Sequence, residues 1–178
     1  MSTRNALLAA AVALAFGAVA AIADSPKLGK PIAEAEIGAW DIAAMPDGQG
    51  LPPGSGTAVQ GAQVFAQKCA LCHGEGGKGG PVARNPLFGG RPLTDGIDTP
   101  KTIGNFWGHA TTLFDFTRRA MPFNQPRTFT ADEIYATTAY ILFLNKIIGE
   151  TDVMNAATLP KVKMPNRDNF IIRFPDRI

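Results

Sequence analysis

Cys69-Ala70-Leu71-Cys72-His73 constrains this chain more than any other stretch. The C-x-x-C-H spacing puts two thiols on one face of a helical turn, with an imidazole directly after them. Each thiol can add across a vinyl group of a haem and leave a thioether, and His73 is then aimed at the iron. Two other readings compete. A thioredoxin-like dithiol wants a preceding strand and a βαβ context, and neither pattern is visible. A tetrahedral zinc site needs four ligands. The chain has 2 cysteines and 2 histidines in all, and His109 lies far from the pair. The motif therefore predicts one covalent haem c, held by Cys69 and Cys72, with His73 as an axial ligand. Both cysteines are then used, which leaves none for a disulfide.

A length of 178 residues suggests one domain. Residues 1–23 have the pattern of an export leader. Arg4 supplies the positive charge, residues 6–20 the apolar core, and Ala21-Ile22-Ala23 the small-residue cleavage pattern. The apolar run is short for a spanning helix, which needs roughly 20 residues. Cleavage after about Ala23 would place the protein in the periplasm, where c-type haem attachment also occurs. Losing Arg4 brings the formal charge of +2 one unit closer to zero, which gives no reason to expect nucleic acid as a partner. No later stretch is apolar enough to span a membrane.

Residues 24–56 form a polar arm. Lys30-Pro31, Met45-Pro46-Asp47-Gly48 and Leu51-Pro52-Pro53-Gly54 are turn formers that break helices. One short helix is expected within 33–44, and most of the arm should lie over the surface of the domain that follows.

The haem domain is expected over 57–149. Thr57-Ala58-Val59-Gln60 has the capping-box form and opens a helix over 58–69, with Ala62, Phe65, Ala66 and Cys69 on one face. Gly61 would cost about 1 kcal/mol relative to Ala inside that helix, so a close helix–helix approach is expected there. After His73, a run of glycines lets backbone pass near a flat cofactor. It lacks the order of a phosphate-binding loop. A carbonyl from this loop should accept the second ring N–H of His73 and fix its tautomer, with Pro86 the first candidate and Pro81 close behind. Trp107 could pack by the haem edge and donate its N–H to a propionate, or simply fill the core. A helix over 112–120 should bury Leu113, Phe116, Thr117 and Ala120.

Met45, Met121, Met154 and Met164 are available as a sixth iron ligand, and His109 is a further option. Met121, between a short helix and the last long helix, is the best placed. A second capping box, Thr130-Ala131-Asp132-Glu133, opens that last helix over 131–148, with Gly149 as its stop. It is apolar around most of its surface and must be covered on several sides. The tail, 150–178, is basic and interrupted by prolines, yet Leu159, Val162, Phe170, Ile171, Ile172 and Phe174 are too apolar to leave it free. It should wrap the domain.

Residues 57–144 together resemble a class I cytochrome c, an all-α fold, here with an N-terminal arm and a C-terminal wrapping tail. The resemblance rests on Gly61 and Phe65, the haem motif with Gly74, the Met121-Pro122 loop and the aromatic last helix. The flanks narrow it. Ala39-Trp40-Asp41, the run from Pro46 to Gly56, Phe114-Asp115-Phe116-Thr117-Arg118-Arg119-Ala120-Met121-Pro122-Phe123 and Met164-Pro165-Asn166-Arg167-Asp168 look like the cytochrome subunits of bacterial sulfur oxidation. With a single C-x-x-C-H, the chain is similar to the monohaem type that serves molybdenum sulfite dehydrogenases, which are related to Sox-type sulfane dehydrogenase. The resemblance implies a haem bound through Cys69 and Cys72, His73 as proximal ligand and Met121 as distal ligand. It implies an electron carrier rather than an enzyme. The donor would be the catalytic subunit of a molybdenum sulfite dehydrogenase, and the acceptor another cytochrome or a terminal oxidase. Arg118, Arg119 and the basic tail are candidate partner contacts. The alternative is a haem ligand-binding or peroxidase-type protein with a displaceable sixth ligand.

Overall fold

A computed structural model describes residues 28–170, in two compact units that divide between Trp40 and Asp41. The leader expected at 1–23, and Ile171, Ile172 and Phe174 of the tail, lie outside the described residues. In the first unit the short helix expected within 33–44 is α1, Glu34–Ile37, a single turn. Glu36 reaches back to the Ala33 N–H at 2.8 Å, and Gly38 follows the turn directly. No residue of α1 is buried, so no packing extends it.

The second unit is built on helices. After a two-residue strand β1, Ser55–Gly56, come α2 (Ala58–Lys68), α3 (Ala70–His73), α4 (Ile103–Phe106), α5 (Ala110–Ala120) and α6 (Ala131–Leu144). A second short strand, β2 (Met154–Asn155), pairs antiparallel with β1, Gly56 opposite Met154. The capping boxes at Thr57 and Thr130 form as the sequence indicated, with each hydroxyl accepting the backbone N–H three residues on. A third, Thr102 with Asn105, opens α4.

The main packing is α2 against α6. On α2 the buried positions are Ala58, Gly61 and Phe65, while Ala66, expected on that face, is exposed. On α5 the buried stripe runs through Ala110, Leu113, Phe114 and Thr117, at helical spacing. Phe116 was expected inside, but it lies on the opposite side, 46% exposed, with its ring meeting Trp107 edge-on at 5.7 Å. Helix α6 is covered nearly all round, with Ile134, Tyr135, Ala139, Ile141 and Leu142 in the core. It ends four residues earlier than expected. Asn145, not Gly149, stops it: the Asn145 side chain donates to the Ile141 carbonyl, and Lys146 then takes a left-handed φ of 58°.

The arm from residue 41 and the tail close the core. Ala44 N–H donates to Asp115 at 2.9 Å, Ser55 N–H to Asp132 at 2.7 Å, and Tyr135 O–H to the Pro52 carbonyl at 2.9 Å. From the tail, Met154, Leu159 and Met164 join the core at 5% exposure or less. Asn166 donates to the Phe106 carbonyl at 2.7 Å. The expected wrapping by the tail is thus carried by side chains that finish the core.

Candidate haem centre

Cys69 is where α2 ends and α3 begins. Its φ of −119° breaks the helix axis, and its carbonyl accepts from the N–H groups of both Cys72 and His73, at 3.1 and 3.0 Å. That single turn puts Cys69, Cys72 and His73 on one side, at offsets of three and four residues. Neither thiol forms a disulfide, and both are half-buried. Burial pushes the Cys69 thiol up to about 11, so it is protonated at neutral pH. A redox dithiol needs the opposite shift. Among the described residues no three His, Cys, Asp or Glu side chains gather to hold a metal ion, so the zinc reading has no ligand set either.

The loop after His73 is tied back to the motif. Gly74 sits at φ 75° and its N–H donates to the Ala70 carbonyl. The Gly79 N–H donates to the His73 carbonyl and the Ala83 N–H to the Cys72 carbonyl. The chain then returns past the imidazole to build the wall of a cavity of about 280 Å³, lined by His73, Pro86, Leu87, Ile103 and Trp107 among others. The ring of the buried Phe65 lies 6.5 Å from that of His73.

Burial lowers the pKa of His73 below its ordinary value, which favours the neutral imidazole that can bind a metal. Its Nδ1 is buried with no hydrogen-bond partner, so the bond expected from this ring to the Pro86 carbonyl is not made in this structure. Pro86 nevertheless lines the same cavity, as does Trp107. Met121 follows the last residue of α5 and is half-buried, but it is not among the residues that line this cavity. Met154 and Met164 are packed in the core at 5% and 3% exposure. Met45 is exposed in a turn, its N–H bonded to the Gln49 carbonyl. His109 precedes the first residue of α5 and makes no capping bond through its side chain.

Arg118 and Arg119, considered as partner contacts, have partners within the chain. Arg118 donates to the Ile42 carbonyl at 2.9 Å, and Arg119 pairs with Asp115. The cavity has cations of its own in Arg84 and Lys101, and no carboxylate lines it.

Two residues that build the site, Asn145 and Thr102, lie outside the motifs described above. Asn145 bonds Leu87 and Gly89, and Thr102 bonds Gly89. The T-x-x-N form at 102–105 was available as a capping signal; the long-range bonds of Asn145 were not.

Comparison with known proteins now decides the family. One chain of the crystal structure of the sulfane dehydrogenase SoxCD from Paracoccus pantotrophus superposes with a TM-score of 0.75 and 38% identity, covering 86% of this chain and 75% of that one. The chain is a class I c-type cytochrome. Residues 56–141 of the cytochrome also match the family described as cytochrome C oxidase, cbb3-type, subunit III. A stretch of 49 residues is 49% identical to the Cbb3-type cytochrome c oxidase subunit FixP of Azorhizobium caulinodans, covering 27% of this cytochrome but only 15% of that protein. The cytochrome carries covalently bound haem c. The site fits that group: two thiols and a neutral imidazole on one helical turn, a buried ring nitrogen awaiting a partner, and an apolar wall facing it. Among the described residues no helix is long and apolar enough to cross a membrane.

Proposed function

We propose that this cytochrome is exported to the periplasm and carries single electrons from a molybdenum enzyme that oxidises sulfite or a related sulfur compound. The observation that carries the reading is the likeness to SoxCD over most of the chain, at an identity well above that which indicates fold alone. The flanking strings that resemble sulfur-oxidation cytochromes agree with it. The acceptor is another cytochrome or a terminal oxidase, a direction that the cbb3-type match supports.

In this reading Cys69 and Cys72 hold the haem through thioethers, His73 supplies the proximal nitrogen and Met121 the distal sulfur. When bound, the haem supplies reversible one-electron chemistry at its iron. The chain's own residues do the rest. Leu87, Ile103 and Trp107 supply the apolar part of the wall on the imidazole side, which would limit the access of water to it. His73 has a buried Nδ1 donor without an acceptor, and no described hydrogen bond reaches the Pro86 carbonyl on the same cavity. These two groups are complementary, which supports Pro86 as the acceptor that fixes the tautomer. Burial of Met154 and Met164 supports Met121 as the methionine free to act as a ligand.

Sulfite oxidation to sulfate takes up one water and releases two electrons and two protons. The chemistry stays at the partner, and the cytochrome would accept the electrons one at a time. The partner contact is assigned to the surface beside Cys72. Leu71 and Val82 are 85% and 73% exposed there, and Arg84 and Lys101 lie at the adjoining cavity. A small apolar spot with a cationic rim suits a transient, salt-sensitive encounter with an acidic surface.

Stopped-flow absorbance tests this reading. Oxidised cytochrome is mixed with a catalytic amount of a sulfite-oxidising molybdoenzyme and then with sulfite, at low and high salt. The reading predicts fast haem reduction that requires both enzyme and sulfite and slows with salt. Reduction no faster than in the enzyme-free control would overturn it.

A further inference from the structure

The wall opposite His73 is held by one side chain from a distant element. Asn145, at the end of α6, donates through Nδ2 to the carbonyls of Ile141 at 2.8 Å and Leu87 at 3.3 Å. Its Oδ1 accepts the Gly89 N–H at 3.1 Å. A carboxamide has two N–H donors and one acceptor oxygen, so every polar function of Asn145 is engaged. Neither a carboxylate nor a hydroxyl can make this set: the first has no donor when ionised, and the second is too short to bridge three groups.

The two residues that Asn145 grips are fastened on their other sides as well. Leu87 N–H donates to the Gly77 carbonyl at 2.9 Å. The Gly89 carbonyl accepts the Thr102 hydroxyl at 2.6 Å. Gly89 is thus held between the end of α6 and the start of α4, and Leu87 between α6 and the haem-motif loop. Gly104 on α4 has no side chain where α4 meets Asn145; a Cβ there would overlap Oδ1. Pro86, next to Leu87, shares the cavity with His73. The segment has no secondary structure of its own, so its distance from the imidazole is set by these bonds.

We infer that Asn145 is a positioning residue for the haem centre, which with Thr102 holds the 86–89 wall against His73 and so sets the reduction potential. The inference rests on His73 as proximal ligand and is independent of the sulfur-oxidising partner. A ring N–H bonded to a carbonyl makes the imidazole a stronger donor to its metal, and such outer contacts tune the potential. Pro86 on this wall is the acceptor proposed above for the His73 N–H in the haem-loaded protein; a wall that drifts away would weaken that contact, favour the reduced iron and raise the potential.

The test is a spectroelectrochemical titration of the holo-cytochrome and three variants. Asn145→Leu keeps roughly the size, adds no charge and loses all three bonds. Thr102→Val loses the bond to the Gly89 carbonyl together with the cap of α4. Tyr135→Phe removes a buried bond to the arm and serves as a control for general loosening. Asn145→Leu and Thr102→Val are each expected to favour the reduced form about threefold, roughly 30 mV at 59 mV per tenfold for one electron. Tyr135→Phe should leave the potential unchanged. If Asn145→Leu yields no folded holo-protein, Thr102→Val decides alone. Potentials equal to the wild type in folded variants would overturn the inference, leaving Asn145 a helix cap. An equal rise in Tyr135→Phe would overturn it too. A wild-type spectrum without imidazole ligation would instead remove His73 as proximal ligand, and the inference with it.

Discussion

Gly61 and Ala136 meet backbone to backbone where α2 crosses α6. A Cβ built on Gly61 would overlap the Ala136 carbonyl oxygen and lie 2.7 Å from Tyr140 Cβ. Gly56 approaches the same residue from β1, where a Cβ would come within 2.7 Å of Ala136 Cβ. Gly61 therefore lets α6 sit close to α2 and Gly56 lets β1 sit close to α6, while Tyr140 and Phe65 pack between the two helices at 5.3 Å. Gly61→Ala gains about 1 kcal/mol of helix propensity. It must also push two helices apart, and overpacking of this kind typically costs about 1–3 kcal/mol. Because the obstacle is backbone, the upper end of that range applies and the net effect is destabilising. Urea denaturation of the holo-protein should show a lower midpoint, and a raised one would contradict the close approach.

Glu133 links acid stability to the first turn of α6. Its carboxyl pairs with Lys68 on α2 and accepts the Thr130 N–H at 3.0 Å. The hydrogen bond from Lys68, then that from Thr130, hold its pKa below the ordinary 4.5. A carboxyl depressed in the folded state contributes stability that is fully present above its unfolded pKa. That contribution is lost as pH falls through the folded value. The stability difference between wild type and Glu133→Gln should thus be largest above about pH 5 and shrink toward pH 3. A difference that grows with acid would refute the assignment.

Tyr135 fastens the arm from inside the core. Its ring is fully buried against Phe114, with centroids 4.5 Å apart, and its hydroxyl reaches the Pro52 carbonyl. Tyr135→Phe keeps the ring and leaves that carbonyl without its donor, which costs about 1 kcal/mol. Hydrogen exchange should rise at residues 51–56 before it rises in α2. Uniform acceleration throughout the protein would argue against a local fastening.

How much of this was legible in sequence depended on whether the cause was local. The turn of the haem motif and the capping boxes at Thr57 and Thr130 are carried by neighbours within one or two turns, and they formed as expected. Gly61 marked a close approach through the helix propensity it gives up, although the residue it meets, Ala136, lies far along the chain. The end of α6 was misplaced because apolar pattern continues through Ile147 and Ile148, while Asn145 is recruited by a loop more than fifty residues away. Phe116 was placed inside because an aromatic at helical spacing reads as core; Phe114 took that position and Phe116 met Trp107 instead. Arg118 and Arg119 were expected as partner contacts, since nothing nearby in sequence showed the Ile42 carbonyl that Arg118 reaches.

Charge at the cavity rim is expected to control the encounter with the electron donor. Arg84→Glu and Lys101→Glu together should slow the enzyme-dependent reduction at low salt by about tenfold and flatten its salt dependence. Reversal of Arg167 and Lys161 in the tail should have little effect. The opposite ranking in stopped-flow rates would move the contact to the tail.

The central claim of the proposed function is that Met121 would supply the sixth ligand of the iron, so that the haem would transfer electrons without binding small ligands. Carbon monoxide added to the reduced protein tests it most directly. The wild type should show no change in its Soret band, whereas Met121→Ala should bind the gas at once and have a lower reduction potential. Prompt binding by the wild type would contradict the claim and favour a haem with a displaceable sixth ligand.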